Sequence, residues 1–160
     1  MSRRLAFVLA ALLLVACPGF ASAQERLTRL TPPEIEGLVQ GGATAGTSGV
    51  AGIRTTILYG DPTKAGPYTI ALRAPPNVRI AAHSHRDDRT AVVVAGLWRF
   101  GYGRKADESL VKILPPGSFY SEPAGVEHFA MTGPEGAMVY ISGRGPTSTD
   151  YVEAADAPKR

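Results

Sequence analysis

From residue 53 onward the apolar and polar positions fall into short runs in which β-branched and aromatic residues recur at every second place. Such alternation is the mark of strands with one face buried. The runs cover 53–59, 67–74, 78–84, 90–95, 97–102, 109–114, 118–122, 127–132 and 136–142, with a last short one at 149–152. Turn residues separate them at Gly60-Asp61-Pro62, Pro75-Pro76-Asn77, Pro115-Pro116-Gly117 and Gly133-Pro134. Trp98, Phe100 and Tyr102 alternate and are expected on one face, whereas Val92, Val93 and Val94 form a continuous run that predicts burial on both sides. Many short strands at this spacing predict an all-β sandwich or barrel.

The residues before this region read differently. Residues 24–52 form an N-terminal arm in which Thr31-Pro32-Pro33-Glu34 opens one short helix, with Thr31 as cap and acid near the positive end. Gly41 to Gly52 is rich in Gly, Ala, Thr and Ser and predicts a flexible stretch. Ahead of it, Arg3-Arg4, the apolar run Leu5 to Ala16 and Ala21-Ser22-Ala23 have the three parts of a secretory signal, cleaved after residue 23. The apolar run falls short of the ~20 residues a membrane-spanning helix needs. Two other readings compete: Leu14-Val15-Ala16-Cys17 has the form of a lipid-attachment site, and Arg3-Arg4 that of a twin-arginine signal. Soluble export to the periplasm or beyond is the main expectation, with lipid anchoring at Cys17 the alternative. The resulting division is 1–23 signal, 24–52 arm, 53–152 barrel domain and 153–160 tail.

Composition narrows the chemistry. A chain of 160 residues with 44% hydrophobic and 19% charged content has the make-up of one globular domain. Cys17 is the only cysteine, so a cut after residue 23 leaves a mature chain with no disulfide, thiolate ligand or cysteine nucleophile. With Arg3 and Arg4 removed, the basic residues nearly balance the 14 acidic ones and form no stripe, which argues against a nucleic-acid partner.

All three histidines fall in two short patterns, His83-Ser84-His85 and Gly117 to His128. Histidines two apart on a strand share a face. A third from a later strand would complete a three-nitrogen site with open positions, the arrangement of a catalytic metal. Three half-buried histidines bonded within the barrel are the plainer reading.

The two patterns resemble the paired motifs of the cupin family. Gly117, Pro123, Gly125 and His128 match the second motif in register, with Thr132 where the family often has Asn. His83, His85 and Gly96 match the first, but Arg89 stands at the family's glutamate ligand. The resemblance covers roughly residues 55–152 and implies a single cupin-type barrel, a double-stranded jelly roll. It also implies a divalent transition metal (Fe(II) first, then Mn, Ni, Cu or Zn) held by His83, His85 and His128. A small-molecule substrate and a homodimer follow from the same likeness.

Arg89 cannot bind metal, because its guanidinium stays protonated. Three outcomes follow: the histidines act alone, a nearby acid (Glu122, then Asp87 or Asp88) replaces the ligand, or the site has become a plain binding pocket. Arg89 facing the pocket would clamp a substrate carboxylate; facing out, it would pair with Asp87 or Asp88. Glu122, extended before Pro123, is a candidate ligand, general base or partner of Arg89. Tyr120 shares its parity and is the aromatic candidate for the pocket, with core packing the plainer role. The leading functional reading is a metal-dependent dioxygenase- or lyase-like enzyme; the rival is a non-catalytic small-ligand or metal-binding protein.

Overall fold

The computed structural model describes residues 27–42 and 46–158. The signal and lipid-attachment readings at residues 1–23 lie outside them. Eight strands carry the fold: β1 (Arg54–Gly60), β2 (Gly66–Ala74), β3 (Arg79–Ser84), β4 (Arg89–Tyr102), β5 (Lys112–Leu114), β6 (Phe119–Glu122), β7 (His128–Gly145) and β8 (Asp150–Tyr151). All pairings are antiparallel. The expected all-β jelly-roll barrel is what forms.

Two long strands organise it. The first half of β4 pairs with the second half of β7 through Arg89↔Gly143 to Gly96↔Ala137. With β6, β2 and β1 these halves make one sheet. The remaining halves pair through Trp98↔Thr132 to Tyr102↔His128 and, with β3, β5 and β8, make the facing sheet. Strands expected separately at 90–95 and 97–102 are therefore one, as are those at 127–132 and 136–142. The sequence signals were real, but they mark bends rather than ends. Gly96 and Gly136 both have φ of +70°, and a Cβ added to Gly96 would lie 2.1 Å from the Gly136 carbonyl oxygen. Only glycine permits so close a crossing of two strands.

Side chains from both sheets interdigitate in the core, with Ile70, Leu72, Val93, Val139 and Ile141 facing Ile80, Trp98, Phe100 and Ala130. Val93 is buried, but Val92 is 41% exposed, so the valine run alternates after all. It lies on a sheet with one solvated face, as antiparallel sheets commonly do. A smaller cluster of Ala82, Phe129 and Met131 packs outside the second sheet under Val111 and Val152.

The short helix at the start of the arm forms as its residues suggest, whereas residues 46–48, expected in a flexible stretch, dock on the barrel. Pro32–Glu36 forms the one-turn helix α1, and the Thr31 backbone N–H donates to the Glu34 carboxylate at 2.6 Å. An isolated bridge between Gly41 and Thr55 lays the arm beside β1. No helix among the described residues is long and apolar enough to cross a membrane.

Candidate metal centre

Strand register brings the histidines together. His83 near the end of β3 stands directly opposite His128 at the start of β7, and His85 follows one residue beyond β3. The ring centroids lie 4.5 to 5.0 Å apart. One ligating nitrogen from each ring falls within 4.8 Å of the others, and all three residues are buried.

Their protonation follows from the backbone. Nδ1 of His83 is 2.7 Å from the Ala81 carbonyl and that of His128 is 3.0 Å from the Val126 carbonyl, while His85 Nδ1 meets the Ser148 carbonyl. A carbonyl can only accept, so Nδ1 carries the hydrogen in each ring and Nε2 keeps its lone pair. Nε2 of His85 and of His128 is buried without a hydrogen-bond partner. Desolvation dominates the titration of all three: it pushes His83 down to about 4 and lowers His85 and His128 as well. The rings are neutral near neutral pH, as metal binding requires.

Glu122 completes the arrangement. Oε2 lies 3.7 Å from His85 Nε2, and Oε1 lies 3.9 Å from His128 Nε2. Two neutral imidazoles thus aim lone pairs toward a carboxylate, an arrangement of facing acceptors. A cation between them would relieve it, so the residues present fit a metal ion. Arg89, opposite Glu122 in the β4–β6 register, donates from Nε to Oε2 at 2.5 Å and from Nη2 to the same oxygen. Burial pushes the Glu122 carboxyl up, but the Arg89 charge, then His128, more than offset that and leave it below the ordinary range.

Arg89 therefore faces inward. The outward pairing with Asp87 or Asp88 is not what forms: Asp87 accepts from the Tyr68 hydroxyl at 2.8 Å, and Asp88 accepts from the Ala124 N–H. Nor is Arg89 an open anion clamp in this conformation. Two of its nitrogens hold Glu122, and Nη1 donates to the Gly46 carbonyl at 2.8 Å.

Tyr120 belongs to the core cluster. It packs on Phe100 at 4.4 Å between centroids, and Phe100 in turn stacks on His128 at 5.3 Å. It does not line the cavity over the triad. Burial, then the Glu122 charge, hold its phenol well above the ordinary value, so it stays protonated. Tyr102, 46% exposed at the rim, donates to the Ser121 carbonyl.

The cavity over the triad is small, about 20 Å³, and mainly apolar apart from the triad, Arg89, Glu122 and Ser48. That is room for about one water molecule. Its roof is not barrel at all: Gly46 and Ser48 of the arm close it. Sequence reasoning missed this. The spacing of Gly46, Gly49 and Gly52, all at positive φ, was the available signal and reads equally well as a linker.

No protein-family model matches the chain, and no curated protein matches it in sequence. Solved structures do. The polyketide cyclase RemF from Streptomyces resistomycificus is similar at 17% identity and a TM-score of 0.63, covering 82% of this chain and 89% of its own. KdgF from Halomonas gives 16% and 0.53, over 69% and 91%. A cupin-like protein from Thermotoga maritima gives 18% and 0.52, over 73% and 92%. The fold is thus the cupin fold, and the proteins that share it include enzymes.

Proposed function

We propose that this protein is a metal-dependent enzyme of the dioxygenase or lyase type, acting on a small organic molecule outside the cytoplasm. The observation that carries the reading is the convergence of three neutral imidazoles whose Nδ1 hydrogens are all committed to backbone carbonyls. His83, His85 and His128 would hold the ion, Fe(II) first and Mn, Ni, Cu or Zn next. Such an ion supplies Lewis acidity toward an oxygen atom of the substrate and, where redox-active, electrons for dioxygen.

The protein's own groups divide the remaining work. Glu122 is the acid–base residue and fourth candidate ligand, since both its oxygens face imidazole nitrogens. Arg89 positions it and keeps it ionised. Tyr120 acts only through Phe100, as support for the His128 ring. Names among the similar structures, a polyketide cyclase and DMSP lyases with TM-scores of 0.63 and 0.53, support an organic substrate. They do not choose a reaction, because one fold hosts many.

The one-water cavity favours a second reading, a binding protein that sequesters metal or a small ligand without turnover. Elemental mass spectrometry of mature protein purified without chelator, beside His83→Ala and His128→Ala, tests the shared premise. Near-stoichiometric transition metal, lost in both variants, is expected. Metal-free protein that stays so after anaerobic Fe(II) would overturn it. Oxygen uptake across a substrate screen then separates enzyme from binder.

A further inference from the structure

The roof of the cavity is attached to the barrel in an unusual way. Three successive carbonyls of the arm each accept one bond from a barrel side chain: Gly46 from Arg89 Nη1 at 2.8 Å, Thr47 from Thr149 at 2.9 Å and Ser48 from the Tyr151 hydroxyl at 2.5 Å. Thr47 and Ser48 are buried by this docking. Gly46, Gly49 and Gly52 stand at φ of +83°, +72° and +82°, so the segment pivots on residues that tolerate such backbone. Apolar anchorage is slight, with Val50 only partly buried against the core and Ile53 beyond it. A segment held by few polar bonds and little apolar contact opens at low free-energy cost.

The charges beneath it define what enters. Glu122 and Arg89 cancel. Asp87 adds one buried negative charge nearby, bonded to Tyr68. The three histidines add none while neutral. A divalent ion on the triad would therefore leave the pocket positive by about one charge, which an anionic guest compensates. The group an anion would meet is also present. Arg89 lines the cavity, and the present partner of its Nη1 is a neutral carbonyl. A carboxylate is a stronger acceptor for guanidinium than a peptide oxygen.

We propose that residues 46–50 are a removable cover over the triad, and that the guest is a small carboxylate whose oxygen replaces the Gly46 carbonyl on Arg89. This rests on the proposed site being the binding pocket, not on turnover. Binding and opening are then one event, because the guest takes the bond that holds the cover down.

Two measurements test it, the first on metal-free mature protein and the second on protein loaded with Zn(II), whose occupancy metal analysis reports separately. The first is the rate of histidine modification by diethyl pyrocarbonate. Thr149→Val with Tyr151→Phe should speed modification about thirtyfold, the factor expected from loss of two neutral hydrogen bonds. Phenylalanine keeps the ring that packs on His83 at 5.5 Å. An unchanged rate in a folded variant would overturn the cover. The second is a titration with acetate and benzoate, with acetamide and benzamide as neutral isosteres, read by amide resonances of residues 46–50. The carboxylates should shift them and the amides should not, and Arg89→Gln should abolish the effect. Equal response to both series, or to neither, would overturn the carboxylate assignment.

Discussion

Arg89 and Glu122 face each other across β4 and β6 with both side chains almost fully buried, 3% and 4% exposed. Removing either alone strands a charge in the barrel. Arg89→Met leaves a buried carboxylate and should destabilise by about 3–5 kcal/mol; Glu122→Met leaves a buried guanidinium at a similar cost. Were the two effects independent, the double variant would lose about 6–10 kcal/mol, the whole stability of an ordinary domain. The geometry gives a different answer. With both changed, no charge is stranded, two methionines fill comparable volume, and the Gly46 carbonyl is the group left without its donor. That orphan costs about 1–3 kcal/mol, so the coupling should be about 6 kcal/mol. Equilibrium urea unfolding of the four metal-free proteins measures it, with trimethylamine oxide added to keep the single variants folded. A double variant as unstable as the sum, or Arg89→Met costing under about 1 kcal/mol, would refute the buried-pair reasoning.

Acid should destabilise the metal-free protein through its histidines. Their pKa values are lowered in the folded state, His83 to about 4, so the unfolded chain binds more protons below its ordinary value of about 6.5. Stability should be full above that pH and fall as pH drops through about 4, by on the order of 3 kcal/mol from His83 alone. Urea midpoints flat across that window would contradict it, and His83→Asn should shallow the slope. At Gly96, alanine must adopt φ of +70° and push its Cβ toward the Gly136 carbonyl. Gly96→Ala should cost at least about 2 kcal/mol in urea unfolding, and an unchanged midpoint would show that the strand crossing is not tight.

What the sequence disclosed and what it hid differ for physical reasons. Alternation located nearly every strand, because burial of one face imposes a two-residue period wherever sheets pack. It could not tell a strand end from a bend, so Gly96 and the Gly133-Pro134 turn looked like boundaries. The histidines were legible because their spacing maps onto strand faces, and the His83↔His128 register shows how. The partner of Arg89 was not, because 33 residues separate it from Glu122 and only the β4–β6 pairing joins them. The cover was least legible of all. Its contacts use main-chain carbonyls, which any residue supplies, so no side-chain pattern records them.

The same indifference of backbone acceptors to residue type has an evolutionary consequence at the triad. Ala81, Val126 and Ser148 orient the three imidazoles through their carbonyls, not their side chains. Point substitution at those positions leaves each acceptor in place. In metal proteins the group that orients a ligand histidine is often a carboxylate, and its loss is costly. Here the tautomers are inherited with the chain path itself, so the surrounding residues are free to drift while the nitrogens keep their aim. A lineage built this way can change the walls of its pocket many times over without ever having to rebuild the centre.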